Sequence, residues 1–141
     1  MKTLLNSNVV NNTSAIVGGI LGWYLGPIDG LLTFLVALVL SDYVTGLLRA
    51  YHDHELSSRV GRKGITKKFM IFVIVSLANL LDVHIFGGES AVLRTTIISF
   101  YASNEGLSIL ENAIQIGLPV PAKIKEALKQ INQSEDKDSE S

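Results

Sequence analysis

The sequence lacks cysteine altogether and contains only three prolines in 141 residues. Without cysteine the chain has no disulfide framework, no thiolate zinc site and no thiol nucleophile. Charged residues make up 18% of the chain, below the roughly one quarter that is usual for a soluble domain. The formal net charge is −1, so the excess of lysine and arginine that meets phosphates is missing. We therefore expect no nucleic-acid partner.

Apolar residues, by contrast, account for 48% of the chain, and its mean hydropathy is +0.35. They are concentrated in four blocks with few charges, at 15–28, 30–48, 69–86 and 91–118. A membrane-spanning helix needs about 20 mostly apolar residues. A soluble protein of this size has no core large enough to bury several helices that are apolar all round. The pattern favours an all-α integral membrane helical bundle over a compact soluble one.

The predicted organisation places a membrane domain at 14–132 between two polar ends. Because Gly26-Pro27 interrupts the helical pattern, the first apolar segment covers only ~20 Å as a helix. We expect three spans with the N-terminus outside, and four spans with it inside is the alternative. In chain order the predicted segments are a polar N-terminus (1–13), a short Gly-rich helix (14–26), spans at 27–50, 67–86 and 90–117 with a basic loop (51–66) between the first two, an amphipathic helix (121–132) and an acidic disordered tail (133–141).

Basic residues set the predicted orientation. The positions 49–68 hold six of the twelve lysines and arginines, namely Arg49, Arg59, Arg62, Lys63, Lys67 and Lys68. Short loops dense in lysine and arginine stay in the cytoplasm. The turn at 87–90 has no basic residue, which suits the outside. Lysines after Pro119 place the C-terminus inside.

Glycines at helical spacing predict close helix packing. Gly18, Gly22 and Gly26 repeat at every fourth position and form a groove where another helix can approach. Gly46 lies one turn after Asp42, on the same face of the second apolar block. We interpret these four glycines as helix-packing or oligomerisation positions.

Polar residues inside the apolar blocks are the functional signal, since they are costly in lipid and normally face protein or water. Asp82 and Arg94 lie at equal depth on either side of the Gly87-Gly88 turn, which predicts an ion pair between their side chains. Glu105, Ser108, Asn112 and Gln115 follow one face of the 90–117 helix. That face lines water or an assembly interface, or it pairs with other helices of the same chain. The candidate pore-facing residues are Asp42, Asn79, Asp82, Arg94, Glu105, Ser108, Glu111 and Asn112.

The sequence offers no enzymatic site. The histidines do not converge, and the spacing of His52-Asp53-His54-Glu55 fits no metal template. Neither a phosphate-binding glycine loop nor a nucleophile elbow is present. We expect no catalytic residue, no cofactor and no metal.

Five groups of residues, taken in order, resemble the phage lysis and toxin-secretion holin family of Gram-positive bacteria and their prophages. The resemblance covers about residues 22–131. The groups are Asp42-Tyr43-Val44-Thr45-Gly46; Leu56-Ser57-Ser58 with Gly61 and Gly64-Ile65-Thr66-Lys67-Lys68; Ala78-Asn79-Leu80-Leu81-Asp82; Asn104 through Asn112; and Gly117-Leu118-Pro119-Val120-Pro121.

The resemblance implies a protein that accumulates in the bacterial cytoplasmic membrane and assembles with copies of itself into lesions. Those lesions release an endolysin for host cell lysis, and relatives in clostridia serve in toxin export. It implies a functional partnership with the endolysin or exported toxin that does not require direct contact. This chain departs from many holins in its acidic end, and Met1 and Met70 are its only methionines, so no paired early start is expected. A small ion channel or transporter using Asp42 and Glu105, or a non-conducting antiholin-like regulator, are the alternatives.

Overall fold

A computed structural model describes the backbone of residues 2–55 and 57–138, and the side chains of residues 14–55, 57, 61–62 and 64–130. Within that part of the chain every regular element is an α-helix, so the all-helical prediction is confirmed. In chain order the helices of this part are α1 (Lys2–Leu25), α2 (Gly30–His52), α3 (Ser58–His84), α4 (Val92–Gln115) and α5 (Ala122–Asp138).

The core lies where α2, α3 and α4 meet. Its buried residues recur three or four positions apart, so each helix presents one apolar stripe to the others. They are Leu32, Leu35 and Val39 from α2, Ile71 and Val75 from α3, and Ile98 and Ala102 from α4. Helix α4 packs against both α2 and α3, and α1 packs against α3.

The outer surface of the bundle is also apolar. Phe34 and Leu40 of α2, Phe69 of α3 and Phe100 of α4 are each more than half exposed. Soluble monomers rarely expose contiguous apolar surface on this scale. The bundle therefore has apolar side chains on its inside and its outside, as a helical protein in hydrocarbon requires.

Helix α1 begins at Lys2 rather than at residue 14, because no glycine or proline precedes Gly18 to interrupt it. It ends where Gly26 adopts a left-handed conformation (φ +82°), which suits glycine. After Pro27, the Asp29 side chain accepts a hydrogen bond from Leu32 N at 2.8 Å and caps α2.

The predicted basic loop at 51–66 is mostly helical, so that boundary needs correction. Helix α3 begins at Ser58, and only five residues separate it from α2. Lysine and arginine are good helix formers, and no proline interrupts the segment. Arg59, Arg62 and Lys63 therefore belong to the first turns of α3, although the side chains of Arg59 and Lys63 lie outside the described residues.

The last two helices are separated by a glycine and two prolines. Gly117 (φ +87°) follows the end of α4, and Pro119 and Pro121 precede α5. Helix α5 continues to Asp138 instead of ending at 132, because its polar residues include no helix breaker. The segment 133–138 of the predicted disordered tail is thus helical, and 139–141 lie outside the described residues.

By length and composition, two helical segments of the described chain could cross a membrane, Gly30–His52 and Gly64–His84. The apolar part of α1, Ser14–Leu25, is shorter. Helix α4 does not reach the same apolarity because Arg94, Glu105 and Glu111 interrupt it. A third crossing by α4 therefore stays a prediction.

Candidate functional site

Two clusters of buried polar side chains lie along α4, one at its first turn and one in its C-terminal half. We call the first the Arg94 cluster (Asp29, Asn79, Asp82 and Arg94) and the second the Lys68 cluster (Asp42, Thr45, Lys68, Glu105 and Asn112). Six of these nine side chains are buried. The other three, Asp29, Thr45 and Lys68, are partly buried. Both clusters join three helices or their connections.

Lys68 is the centre of its cluster. Its ammonium donates a hydrogen bond to Asp42 Oδ2 at 2.6 Å and a second, short one to Glu105 Oε2. The three side chains are only 15%, 12% and 10% exposed. A cation from α3 therefore holds a carboxylate from α2 and another from α4, away from the surface.

Asn112 completes the Lys68 cluster from the next turns of α4. Its Nδ2 donates to Asp42 Oδ1 and to Thr45 Oγ1, each at 3.1 Å. Gly46 lies beside this contact, and a Cβ there would be in ordinary van der Waals contact with Asn112 Nδ2 at 3.8 Å. Two carboxylates and one ammonium leave the cluster with one excess negative charge when all three are ionised.

A cavity of about 620 Å³ opens beside the Lys68 cluster. Buried Asp42, Glu105 and Asn112 form its floor, and exposed Lys67 and Asn104 lie at its mouth. Leu128 of α5 is buried against the same space. The complete lining is Asp42, Tyr43, Gly46, Leu47, Arg49, Gly61, Gly64, Lys67, Lys68, Asn104, Glu105, Leu107, Ser108, Glu111, Asn112 and Leu128.

The Arg94 side chain is enclosed by the connection between α1 and α2. Its Nε donates to Leu25 O at 2.9 Å, Nη2 to Pro27 O at 2.7 Å and Nη1 to Asp29 Oδ2 at 2.7 Å. The side chain is only 2% exposed. Its hydrogen bond, followed by that from Leu32 N, lowers the pKa of the Asp29 carboxyl below its ordinary value.

The predicted ion pair between the side chains of Asp82 and Arg94 is wrong, although the two residues do meet. The Asp82 carboxylate accepts hydrogen bonds from Leu93 N at 3.1 Å and Arg94 N at 2.8 Å. Helix α4 begins after Ala91, which has no side-chain acceptor to cap it. Asp82 supplies that acceptor, and the guanidinium turns to Asp29 instead.

The polar side chains of Ser76 and Asn79 on α3 find their hydrogen-bond partners within the chain. Asn79 Nδ2 lies 3.4 Å from the carbonyl oxygens of Trp23 and Tyr24, at the end of α1. Ser76 donates to the carbonyl oxygen of Phe72 in its own helix at 2.8 Å. Within the side chains described, no buried polar atom lacks a hydrogen-bond partner.

The four predicted packing glycines fall into different environments. A Cβ at Gly26 would lie 2.5 Å from Asn79 Oδ1 and 2.7 Å from Arg94 Nε, so the Arg94 cluster leaves no room for a side chain. Gly18 and Gly22, in contrast, face open space on α1. Gly26 thus serves packing inside one chain, Gly46 has room for a side chain against Asn112, and an intermolecular role for Gly18 and Gly22 stays a prediction.

The remaining sequence candidates lie around the cavity. Ser108 and Glu111 line it, together with Arg49 and Lys67, which the sequence suggested only as topology signals. Arg62 is exposed on the first turns of α3. Glu105 and Asn112 face α2 and α3, which is the within-chain alternative for the polar face of α4.

Sequence reasoning missed Lys68 as the partner of Asp42. The sequence does contain a signal for this pair. Glu55 is the middle of the connection between α2 and α3, and Asp42 and Lys68 each lie 13 positions from it. Equal depth on two antiparallel helices brings such residues together, by the same reasoning that joined Asp82 to Arg94. Asp29 was missed because its partner is distant in sequence.

Among the described residues, no group of three or more histidines and carboxylates is placed to hold a metal ion. The two clusters are held by hydrogen bonds and ion pairs alone. Their arrangement can store charge within an apolar bundle, and the Lys68 cluster also adjoins a cavity.

An all-helical bundle with two highly apolar helices and charges buried between them is consistent with a membrane protein. The model of the bacteriophage holin family matches residues 19–133, and the chain belongs to that family. The resemblance to holins is thereby confirmed. Family membership suggests a non-enzymatic protein.

Similar proteins come from a phage and from Gram-positive bacteria. A probable holin of Bacillus phage phi105 is 36% identical over 109 residues, 77% of this chain and 79% of the relative. An uncharacterised 14.9 kDa protein of Clostridium perfringens is 40% identical over 116 residues, 82% of this chain and 87% of the relative. An uncharacterised Listeria monocytogenes protein is 40% identical over 108 residues, 77% of this chain and 76% of the relative. No solved structure matches the chain.

Proposed function

We propose that the protein is a pore-forming holin of the bacterial cytoplasmic membrane. It accumulates there as a multi-pass protein, associates with copies of itself and opens lesions through which an endolysin reaches the cell wall. Membership of the holin family and the probable holin of phage phi105 support this function. The observation that carries it is the Lys68 cluster, buried with a polar cavity inside a bundle whose outer surface is apolar.

The Lys68 cluster lowers the free-energy cost of keeping the charged side chains of a single chain in lipid. A charged side chain at the centre of a span costs about 2.5–3.5 kcal/mol on insertion scales. Lys68, Asp42 and Glu105 offset much of this cost by pairing with one another. When α2, α3 and α4 of several copies rearrange, the same side chains are available to line water. The cluster thus serves both the stored chain and the lesion.

Three crossings by α2, α3 and α4 fit this arrangement. Arg94, Glu105 and Asn112, which make α4 too polar for a lone span, are buried against the other helices. Phe100 and Val92 of α4 are exposed instead. The basic residues near the α2–α3 connection favour a cytoplasmic position for it, and three crossings then put the C-terminus inside and the N-terminus outside. A fourth crossing by α1 would put the N-terminus inside.

The open face of α1 is the proposed contact between copies. Gly18 and Gly22 have nothing within 4 Å of a Cβ position, so a neighbouring helix could approach their backbone closely. Ile16 and Ile20 flank them and are exposed. The Lys68 cluster takes its members from α2, α3 and α4, so assembly through α1 leaves it free to reorganise.

Expression in bacteria with and without a cytoplasmic endolysin tests the function. A holin gives abrupt lysis only when the endolysin is present, after a delay during which the culture keeps growing. Flux of ions with no release of the endolysin would identify a channel or transporter. Absence of both flux and lysis would identify a non-conducting, antiholin-like regulator. Release of a co-expressed toxin without lysis would assign the export role.

Substitutions test which faces matter. Glu105→Leu removes one carboxylate from the Lys68 cluster, and Gly22→Leu blocks the open face of α1. We expect each to change the time of lysis by about twofold or more, since both alter how polar and apolar faces meet. Glu126→Leu, at an exposed position of α5, is the matched control and should lyse on the normal schedule. Unchanged timing in both test variants, at equal membrane abundance, would refute the proposed faces.

A further inference from the structure

The mouth of the cavity beside the Lys68 cluster carries two cations, Arg49 and Lys67, that form no ion pair with the lining carboxylates. Arg49 is half-buried and Lys67 is exposed. In the part of the chain that the structure describes, neither side chain makes a hydrogen bond or ion pair. A half-buried guanidinium presents five donors, so leaving it without an acceptor is costly.

The carboxylates in the same cavity are already engaged. Asp42 and Glu105 accept hydrogen bonds from Lys68, and Asp42 also accepts one from Asn112. Glu111 has an interaction of its own. The cavity is lined by three carboxylates and three cations, but the carboxylates have other partners and the two cations at the mouth are left unpaired.

Both cations lie where the apolar segments end. Arg49 is in the last turn of α2, and Lys67 follows the start of the Gly64–His84 segment. Exposed Leu48 and Phe69 are their neighbours in sequence. An amphiphile at this level would meet cations at the cavity and apolar side chains on the bundle surface.

We propose that this cavity mouth binds the phosphate of an anionic phospholipid, with Arg49 and Lys67 as its ligands. The inference rests on the membrane insertion contained in the proposed function. Arginine meets phosphate oxygens with two parallel donors, and lysine meets them as a point charge. Basic pockets between membrane helices on the cytoplasmic side are suited to lipid head groups. Asn104 and Ser108, also in the lining, offer hydrogen bonds to the glycerol part.

The size of the cavity agrees with a head group. Its volume of about 620 Å³ falls in the ~300–1,000 Å³ range of small-molecule sites. The acyl chains need no cavity, because they can lie along the exposed apolar surface beside Leu48 and Phe69. The bound lipid would thus sit at the junction of α2 and α3, directly above the Lys68 cluster.

Retained lipid tests this site. The full-length protein is reconstituted in nanodiscs of equimolar phosphatidylglycerol and phosphatidylcholine, released into mild detergent and analysed by native mass spectrometry. We expect retained phosphatidylglycerol to exceed phosphatidylcholine about tenfold. Arg49→Gln and Lys67→Gln should each lower that preference about fivefold, the equivalent of about 1 kcal/mol for each cation.

Lys125→Gln is the matched control, since it removes one exposed positive charge from α5 outside the cavity lining. It should leave the preference unchanged. An equal loss in this control, or equal retention of both lipids by the unsubstituted protein, would overturn the site. Displacement of the lipid by millimolar glycerol 3-phosphate would assign the cations to a soluble anion and overturn the lipid assignment as well.

Two further measurements separate this proposal from protein folding and from the proposed function. Thermal unfolding checks that each variant folds. If Arg49→Gln does not fold, Lys67→Gln still tests the site, because Lys67 is exposed. Resistance to alkaline carbonate extraction reports membrane insertion on the same samples. Equal retention of both lipids by unsubstituted protein that is inserted contradicts the lipid site alone, whereas failure of the unsubstituted protein to insert contradicts the proposed function.

Discussion

The Arg94 and Lys68 clusters both bury a cation against carboxylate oxygen, but they take their partners from different parts of the chain. Arg94 bonds to the backbone carbonyls of Leu25 and Pro27 as well as to Asp29. Lys68 bonds only to the side chains of Asp42 and Glu105. Backbone partners cannot be exchanged without unfolding the α1–α2 connection, whereas side chains can change partners when helices move. The first cluster fixes the fold, and the second can take part in assembly.

The Arg94 cluster is tightly packed, whereas the Lys68 cluster has free space beside it. At the Arg94 cluster even a Cβ on Gly26 would overlap Asn79 and Arg94. At the Lys68 cluster a cavity of about 620 Å³ adjoins the charged side chains. Water from the cavity can therefore replace a lost partner beside Lys68, whereas at the Arg94 cluster the partly exposed Asp29 carboxylate is the group that water reaches.

The largest expected effect is on the free energy of unfolding of Arg94→Met. This substitution leaves Asp29 and two carbonyls without their donor. We expect a loss of about 3 kcal/mol, the low end for a broken buried ion pair, because Asp29 is 39% exposed. Lys68→Met should cost less, about 1–2 kcal/mol, since water from the cavity reaches the two carboxylates. Unfolding by titration with a denaturing detergent, followed by circular dichroism, measures both.

A result in which Lys68→Met is as destabilising as Arg94→Met would break the distinction between the clusters. The matched substitution to methionine keeps an unbranched apolar side chain in both cases. Differences between the variants therefore report the lost partners more than the lost volume.

A smaller effect is expected when alanine replaces glycine at the end of α1. Gly26→Ala forces a left-handed residue to carry a side chain and pushes it against Asn79. We expect a loss of about 2 kcal/mol in the free energy of unfolding. Gly22→Ala, in open space within α1, should instead stabilise the helix by up to about 1 kcal/mol. Opposite signs in the same unfolding assay distinguish the two glycines, and equal signs would contradict this assignment.

Helix type and helix order follow from local sequence, and the all-helical fold was predictable for that reason. The apolar stripes of α2 and α3, the Gly26-Pro27 break and the Gly87-Gly88 turn are all short-range signals. Helix ends that are not marked by a glycine or a proline were predicted less accurately. The start of α3 at Ser58 and the extension of α5 to Asp138 follow from the absence of helix breakers.

The polar clusters were only half predictable. Their members could be named from polar residues within apolar blocks, and equal depth about a turn correctly brought Asp82 to Arg94. Which atoms form the contacts depends on hydrogen-bonding requirements, such as a helix start without a cap, that the spacing of polar residues does not show. Ala91 cannot cap α4, so Asp82 does, and the freed guanidinium reaches Asp29, which is 65 positions away in the chain.

The smallest expected effect is a pH dependence of the Arg94 cluster. Arg94 lowers the pKa of Asp29 in the folded protein, whereas an unfolded aspartate titrates near 3.9. The stabilising contribution is therefore fully present above about pH 5 and is lost as the pH falls through the folded pKa. Asp29→Asn should remove this dependence while keeping the α2 cap, because asparagine caps helices about as well as aspartate.

Trp23 is the only tryptophan and lies at the end of α1, where its carbonyl faces Asn79. Its fluorescence therefore reports whether α1 stays docked as the pH is lowered from 6 to 3. We expect a spectral change below about pH 4 in the unsubstituted protein and a smaller one in Asp29→Asn. The reason is that protonated Asp29 no longer offers Arg94 a charged partner, which loosens the connection but leaves both carbonyl bonds. The same transition in both proteins would show that Asp29 does not couple α1 to the Arg94 cluster, and the contrast with Lys68 would then rest on the backbone carbonyls alone.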